Sequence, residues 1–263
     1  MIQINHVETL QCNVSLHLAQ KPGLLRILNR QNPNFTFINP VSLCLLIMVQ
    51  DMNLQANRSL QYLLLKMQQT RLKQQIEFII EIDKLKNVLR QTLLIDSSRR
   101  ENSGEHSWHL AIMTMILAEY AIKGTDIFRA MKMTLIHDLV EIDTGDTFCY
   151  DVKGNESKAE RELQTANRVF GILPEEQGKE LRLLWDEFEA RETPTAKFAV
   201  ALDRIQPFLH NRETEGGTWK MHDIHRNQVM KRMAPVEQGT PELWDFMLAE
   251  IETCVAAGYL RKS

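Results

Sequence analysis

An all-α bundle is the fold class this sequence predicts, and three observations predict it. Apolar residues recur at three- and four-residue spacing through most of the chain after Met67, strand-like alternation is scarce, and prolines stand where helical first turns would begin. Phe78, Ile82, Leu85 and Leu89 fall at helical spacing and predict a helix across them. Ser103 and Gly104 can start the next, whose first turn presents His106 and whose apolar face continues through Leu110, Met113 and Leu117. Further helices are expected near 126–143, 157–171, 174–190, 194–213 and 241–257, with Pro174, Pro194 and Pro241 at first turns. Met113, Met115, Met131 and Met133 read as core filling, and Trp108, Trp185, Trp219 and Trp244 as packing residues.

At 263 residues, 44% hydrophobic and 25% charged, the chain can bury a sizeable core, and one main domain with an appendage is expected. A net charge of −3 leaves no basic footprint for nucleic acid, so a small molecule is the expected partner. Cys12, Cys44, Cys149 and Cys254 are scattered without CxxC pairing, which fits a reducing cytoplasm rather than a disulfide framework or a zinc knuckle. The longest apolar run, Val41 to Val49, is far short of the roughly 20 residues that span a bilayer, so no membrane partner is expected.

Residues 1–66 differ from the rest. They hold seven charged residues against 58 in the remainder, and fifteen Asn or Gln, a shift that marks a boundary between 1–66 and 67–263. The segment reads as a helical extension, a docking arm or, preferred, sequence upstream of a true start at Met67; His6 and His17 are not expected to be ligands, and no signal-peptide pattern is present.

Chemistry concentrates in four residues: His106, the adjacent pair His137-Asp138, and Asp203. Two imidazoles and two carboxylates are a donor set for one divalent cation that leaves positions for water and substrate. Neighbours on a helix point about 100° apart, so an adjacent His and Asp share a target only when it sits in a crevice between helices. The stretch Met133 to Ile142 is apolar around the pair, and a buried His and Asp need a partner. A second His-Asp, His222-Asp223, lies in a polar segment after Gly216-Gly217 and reads as solvated surface.

Glu141 follows Asp138 by three and His137 by four, so it shares their face as a candidate proton carrier; the alternative is a surface carboxylate in an ion pair, less apt between Val140 and Ile142. Asp146 follows Thr144-Gly145 and is read as either a crevice-rim residue or a plain turn Asp. Arg90 is the phosphate-binding candidate, because a guanidinium grips two phosphate oxygens at once. Arg99 and Arg100 form a second basic pair, for phosphate or for surface ion pairs.

The order His, His-Asp, Asp, set in Arg99-Arg-Glu-Asn, Glu105-His-Ser-Trp-His109, Ile136-His-Asp-Leu-Val-Glu-Ile-Asp-Thr-Gly-Asp146 and Thr214-Glu-Gly-Gly217, resembles the HD-domain phosphohydrolases, and within them the bacterial 5′-deoxynucleotidase group. The resemblance covers about 67–263. It implies an HD-domain helical bundle around a central metal crevice, with His106, His137, Asp138 and Asp203 on the metal; the family uses only the first of His106 and His109, and His109 reads as a residue hydrogen-bonded behind the centre or as packing. It also implies Arg90 on the first helix, Asp146 on the sugar or the attacking water, and a homodimer. Gln91-Thr92 departs from the family's Trp-Pro after the Arg, and one residue is inserted before Glu-His-Ser, both in the substrate-contacting part. No histidine lies between His137 and His210, where two-metal relatives carry extra ligands, so a single-metal centre is expected and an oxygenase disfavoured.

The expected function is hydrolysis of a (deoxy)nucleoside 5′-monophosphate with one divalent metal ion, be it Mn, Co, Mg, Fe or Zn, to activate water, Glu141 to manage protons and Arg90 to neutralise the phosphoryl group. The alternative is a non-catalytic HD module that senses a nucleotide, which the intact ligand set disfavours.

Overall fold

The computed structural model describes residues 40–262, without the side chains of 40–44 and 152. His6, His17, Cys12, the Cys44 side chain and most of the 1–66 extension therefore lie outside the described residues. The chain divides into two compact units, Met1–Thr70 and Arg71–Ser263. Among the described residues no helix is long and apolar enough to cross a membrane.

Twelve α-helices, three 3₁₀ turns and one two-stranded sheet make up the described elements. Helix α1 (Pro40–Ile82) is exposed from residue 45 to 70, and burial begins near its end, at Phe78. A 3₁₀ turn (Asp83–Asn87) then leads into β1 (Leu89–Leu93), paired antiparallel with β2 (Arg100–Asn102). Here the sequence reading needs correction: Leu89 does not continue a helix, and Arg90 stands on a strand. Val88 and Thr92 are β-branched, and Asp96-Ser97-Ser98 supplies the turn, with Ser97 at φ 58° and Asp96 accepting from the Ser98 amide. Alternation along the strands turns Arg90, Thr92 and Glu101 inward.

Helix α2 (Ser103–Ile116) starts on a capping box. Asn102 accepts from the Glu105 amide while the Glu105 carboxylate accepts from the Asn102 amide. Arg99 clamps Glu105 with both Nη atoms, one of the two uses the sequence left open for it. Helix α3 (Ile127–Ile136), capped by Asp126, gives way to a 3₁₀ turn (His137–Val140) and the single turn α4 (Glu141–Thr144), where one helix over 126–143 was expected. Then come α5 (Val152–Glu156), α6 (Lys158–Phe170), α7 (Glu175–Ala190) and α8 (Pro194–Glu213), followed by α9 (Gly217–Met221), α10 (Arg226–Met233), α11 (Pro235–Gly239) and α12 (Pro241–Ala256).

Helix α8 is the axle. Thr193 caps it, Pro194 opens its first turn, and Phe198 to Ile205 are buried without interruption. It packs against α2, α3, α7 and α11. Gly239 lets α11 come close, since a Cβ there would lie 2.2 Å from the Lys197 carbonyl oxygen. Met113 and Met133 fill the core as expected, whereas Met115 and Trp108, 50% and 62% exposed, do not.

Candidate metal centre

His106, His137 and Asp203 come from α2, the 3₁₀ turn and α8, and each is buried. One ligand atom from each lies within 4.8 Å of the others. His106 Nε2 is 3.1 Å and His137 Nε2 3.7 Å from Asp203 Oδ1, so both imidazoles aim their outer nitrogens at one carboxylate oxygen. Asp138 stands beside them, Oδ1 3.1 Å from His137 Nε2 and Oδ2 3.9 Å from His106 Nε2. In the 3₁₀ turn neighbours stand about 120° apart, so His137 and Asp138 reach one point from two sides, as residues lining a crevice between elements do.

His137 Nδ1 donates to the Thr134 carbonyl at 3.0 Å, which leaves the lone pair on Nε2. That atom is buried and has no hydrogen-bond partner, although Asp138 Oδ1 is close. Burial alone would lower both imidazoles, but Asp138 and Asp203 push His137 up to about 9, and Asp203, Glu101 and Asp138 raise His106 above its ordinary value, so the crevice favours positive charge. A buried lone pair without a donor, amid surplus negative charge, is what a divalent cation would satisfy, so the residues present fit one.

Arg90 reaches the same crevice. Its Nη1 donates to Asp138 Oδ2 at 2.7 Å, with Asp146 Oδ1 3.8 Å and Glu141 Oε2 4.0 Å away. Burial disfavours its charge, but Asp138, Asp146 and Glu141 hold the guanidinium charged beyond its ordinary range. Glu141 is 3% exposed and accepts from Ser103 Oγ at 2.7 Å. Burial, then Asp138 and Asp146, pushes its carboxyl well above the usual range. For Asp203 burial works the other way, but Arg204, His106 and His137 hold its carboxyl well below that range. Arg204 donates to Asp203 Oδ2.

A cavity of about 280 Å³ opens over these residues. Arg90, His137, Asp138, Glu141, Asp146 and Asp203 form its polar floor, and Phe148, Tyr150, Phe188 and Phe208 part of its wall. All seven residues singled out from the sequence thus meet at one place. His222 and Asp223 are exposed, as expected, and Asp223 pairs with Arg261.

The sequence points to no part in the site for Glu101, Gln206, Arg204 or His210, and to Ser103 only as a helix start. Gln206 Oε1 lies 3.0 Å from His106 Nδ1, and Gln206 Nε2 faces Glu101, His210 and His109. His109 thus meets the side chain of Gln206, 3.3 Å from its Nδ1. The available signal was spacing: Gln206 follows Asp203 by three, and His210 follows Gln206 by four, one face of α8.

The family model described as HD domain matches residues 82–244. A human protein named 5′-deoxynucleotidase HDDC2 is 29% identical over 141 residues, covering 53% of this chain and 68% of that protein. The Schizosaccharomyces pombe 5′-deoxynucleotidase hdd1 is 24% identical over 184 residues, covering 64% and 91%. A solved structure from Magnetospirillum magnetotacticum, described as a predicted metal-dependent phosphohydrolase, is 54% identical with a TM-score of 0.70, covering 73% of this chain and 96% of that one.

Proposed function

The chain belongs to the HD-domain family, and from that premise we propose that it is a metal-dependent phosphohydrolase releasing phosphate from (deoxy)nucleoside 5′-monophosphates, its activity carried by residues 67–263. One observation carries the reading: the buried, partnerless His137 Nε2 faces Asp203 and His106 on the floor of a cavity that also holds Arg90. His106, His137, Asp203 and Asp138 would hold one divalent cation. When bound, such an ion supplies the charge that polarises a phosphate oxygen and acidifies water.

The chain's own groups do the rest. Arg90 presents its guanidinium to the phosphoryl oxygens and offsets the charge that gathers on them in the transition state. To do so it exchanges its contact with Asp138 for one with substrate. Glu141, set by Ser103, keeps its proton to a higher pH than a free carboxyl and gives it to the departing 5′-oxygen. Asp146 stands at the rim, within 3.8 Å of Arg90, where it can orient a sugar hydroxyl or the attacking water. A cavity of about 280 Å³ with aromatic walls suits a mononucleotide, near the lower end of ordinary ligand pockets at about 300 Å³.

The test is phosphate release from a panel of ribo- and deoxyribonucleoside 5′-monophosphates by chelator-stripped protein with Mn²⁺, Co²⁺ or Mg²⁺ restored, and Asp138→Ala as control. Metal-dependent release that the variant lacks supports the reading. Nucleotide binding without release, at full metal content, replaces it with a sensing role.

A further inference from the structure

Behind His106, on the side away from the crevice, lies a second group of ligand-type residues: Glu101, His109 and His210, mutually within 4.8 Å. A cation is not what joins them. The side-chain nitrogen of Gln206 already sits among them, 2.6 Å from Glu101 Oε1, 3.1 Å from His210 Nε2 and 3.3 Å from His109 Nδ1.

The proton on each bond follows from chemistry. His210 Nδ1 is 2.8 Å from the Leu93 carbonyl oxygen, which can only accept, so this nitrogen carries the hydrogen and Nε2 offers a lone pair. Glu101 Oε1 is likewise an acceptor. The face of the Gln206 amide toward both must therefore be its NH₂, whose two hydrogens go to the two nearest acceptors. That leaves Oε1 facing His106 Nδ1 at 3.0 Å, where it accepts the Nδ1 hydrogen. With Nδ1 protonated, the lone pair of a neutral His106 lies on Nε2, the atom aimed at Asp203.

We infer that Gln206 is a positioning residue: held in one orientation by Glu101 and His210, it fixes the tautomer of His106 that can ligate a metal, so a hydrogen-bonded relay runs from the Leu93 carbonyl on β1 to the metal centre. A flipped amide would aim NH₂ at His106 Nδ1, move the imidazole hydrogen to Nε2 and point it at the cation. It would also set an oxygen against Glu101 Oε1, which forbids the flip. All the named groups are buried apart from the half-buried His109 and Leu93, so water does not readily take over these roles.

The inference rests on the proposed metal centre, and its test reads the relay without reading turnover. In ¹⁵N-labelled, zinc-loaded protein the His106 Nδ1 hydrogen gives its own imidazole resonance. In the wild type this hydrogen is expected to be protected from solvent exchange. Gln206→Leu is expected to speed its exchange at least tenfold and to weaken Mn²⁺ affinity, measured by titration calorimetry, by about 10- to 100-fold. His210→Phe is expected to act in the same direction although His210 does not bond His106, an effect that simple loss of a neighbour would not give. An unprotected resonance in the wild type, which needs no variant, overturns the relay. So does a folded Gln206→Leu with unchanged exchange and affinity. A protein with the protected resonance that hydrolyses no nucleotide would sink the proposed activity and leave the relay standing.

Discussion

Arg90 Nη1 donates to Asp138 Oδ2 at 2.7 Å, so the phosphate-binding candidate and a metal-ligand candidate form one buried ion pair across β1 and the 3₁₀ turn. A cation and Arg90 thus compete for the same carboxylate. Arg90→Ala is expected to lower kcat/KM for a nucleotide by about 100-fold or more while tightening Mn²⁺ binding. Opposite movements in steady-state kinetics and calorimetry would establish the competition. A parallel loss of both would show that Arg90 merely supports the fold of the crevice.

Asp138 and Glu141 separate metal binding from proton transfer. Asp138→Ala is expected to lose metal, measured by elemental analysis after dialysis, and activity with it. Glu141→Ala is expected to keep its metal and lose turnover by about 100- to 10,000-fold, because its carboxyl meets Ser103 and Arg90 rather than the imidazoles. Normal hydrolysis by both variants would place the chemistry elsewhere.

Gly216 is a structural element of the Thr214-Glu-Gly-Gly217 motif. Its φ of 90° disfavours any side chain, and a Cβ there would lie 2.1 Å from the Tyr259 carbonyl oxygen. Gly216→Ala is expected to cost about 1–3 kcal/mol in urea unfolding, with wild-type metal content per folded molecule. An unchanged urea midpoint would refute the close approach.

The Arg129–Glu187 pair ties α3 to α7 away from the centre. Burial alone would raise Glu187, but hydrogen bonds from Arg129 and Thr193 hold it below its ordinary value. A carboxyl lowered in the folded state adds stability above its unfolded pKa, about 4.3, and loses it as the pH falls through the lower folded value. Glu187→Gln is expected to cost up to about 1 kcal/mol at pH 7, discounted for partial exposure, and to match the wild type in acid below both values. The check is the difference between urea midpoints at several pH values; a gap that persists in acid would point to packing instead of charge.

The proposed ligands were legible because their types are rare inside apolar stretches: His137 and Asp138 lie amid Thr134 to Ile142, and Asp203 amid Phe198 to Ile205. Long helices were legible too, since α6, α7, α8 and α12 each repeat their apolar face several times. The β-hairpin was not. Strands of five and three residues offer too little alternation to outweigh the helical spacing of Leu85 and Leu89, and the family resemblance, too, points to a helix for Arg90. Gln206 escaped notice for a different reason: a neutral amide carries no sign of its task until His106, a hundred positions earlier, is seen to touch it.

The 3₁₀ turn between Ile136 and Glu141 also bears on how chains of this kind can diverge. Each residue added or removed there would swing everything beyond it by about 120°, taking Glu141 off Ser103 and parting His137 from Asp138. Apolar substitutions can accumulate at Leu139 and Val140, but insertions and deletions across the turn cannot. In an alignment of working relatives the columns matching residues 137–141 should hold no gaps, whatever happens to loop lengths on either side.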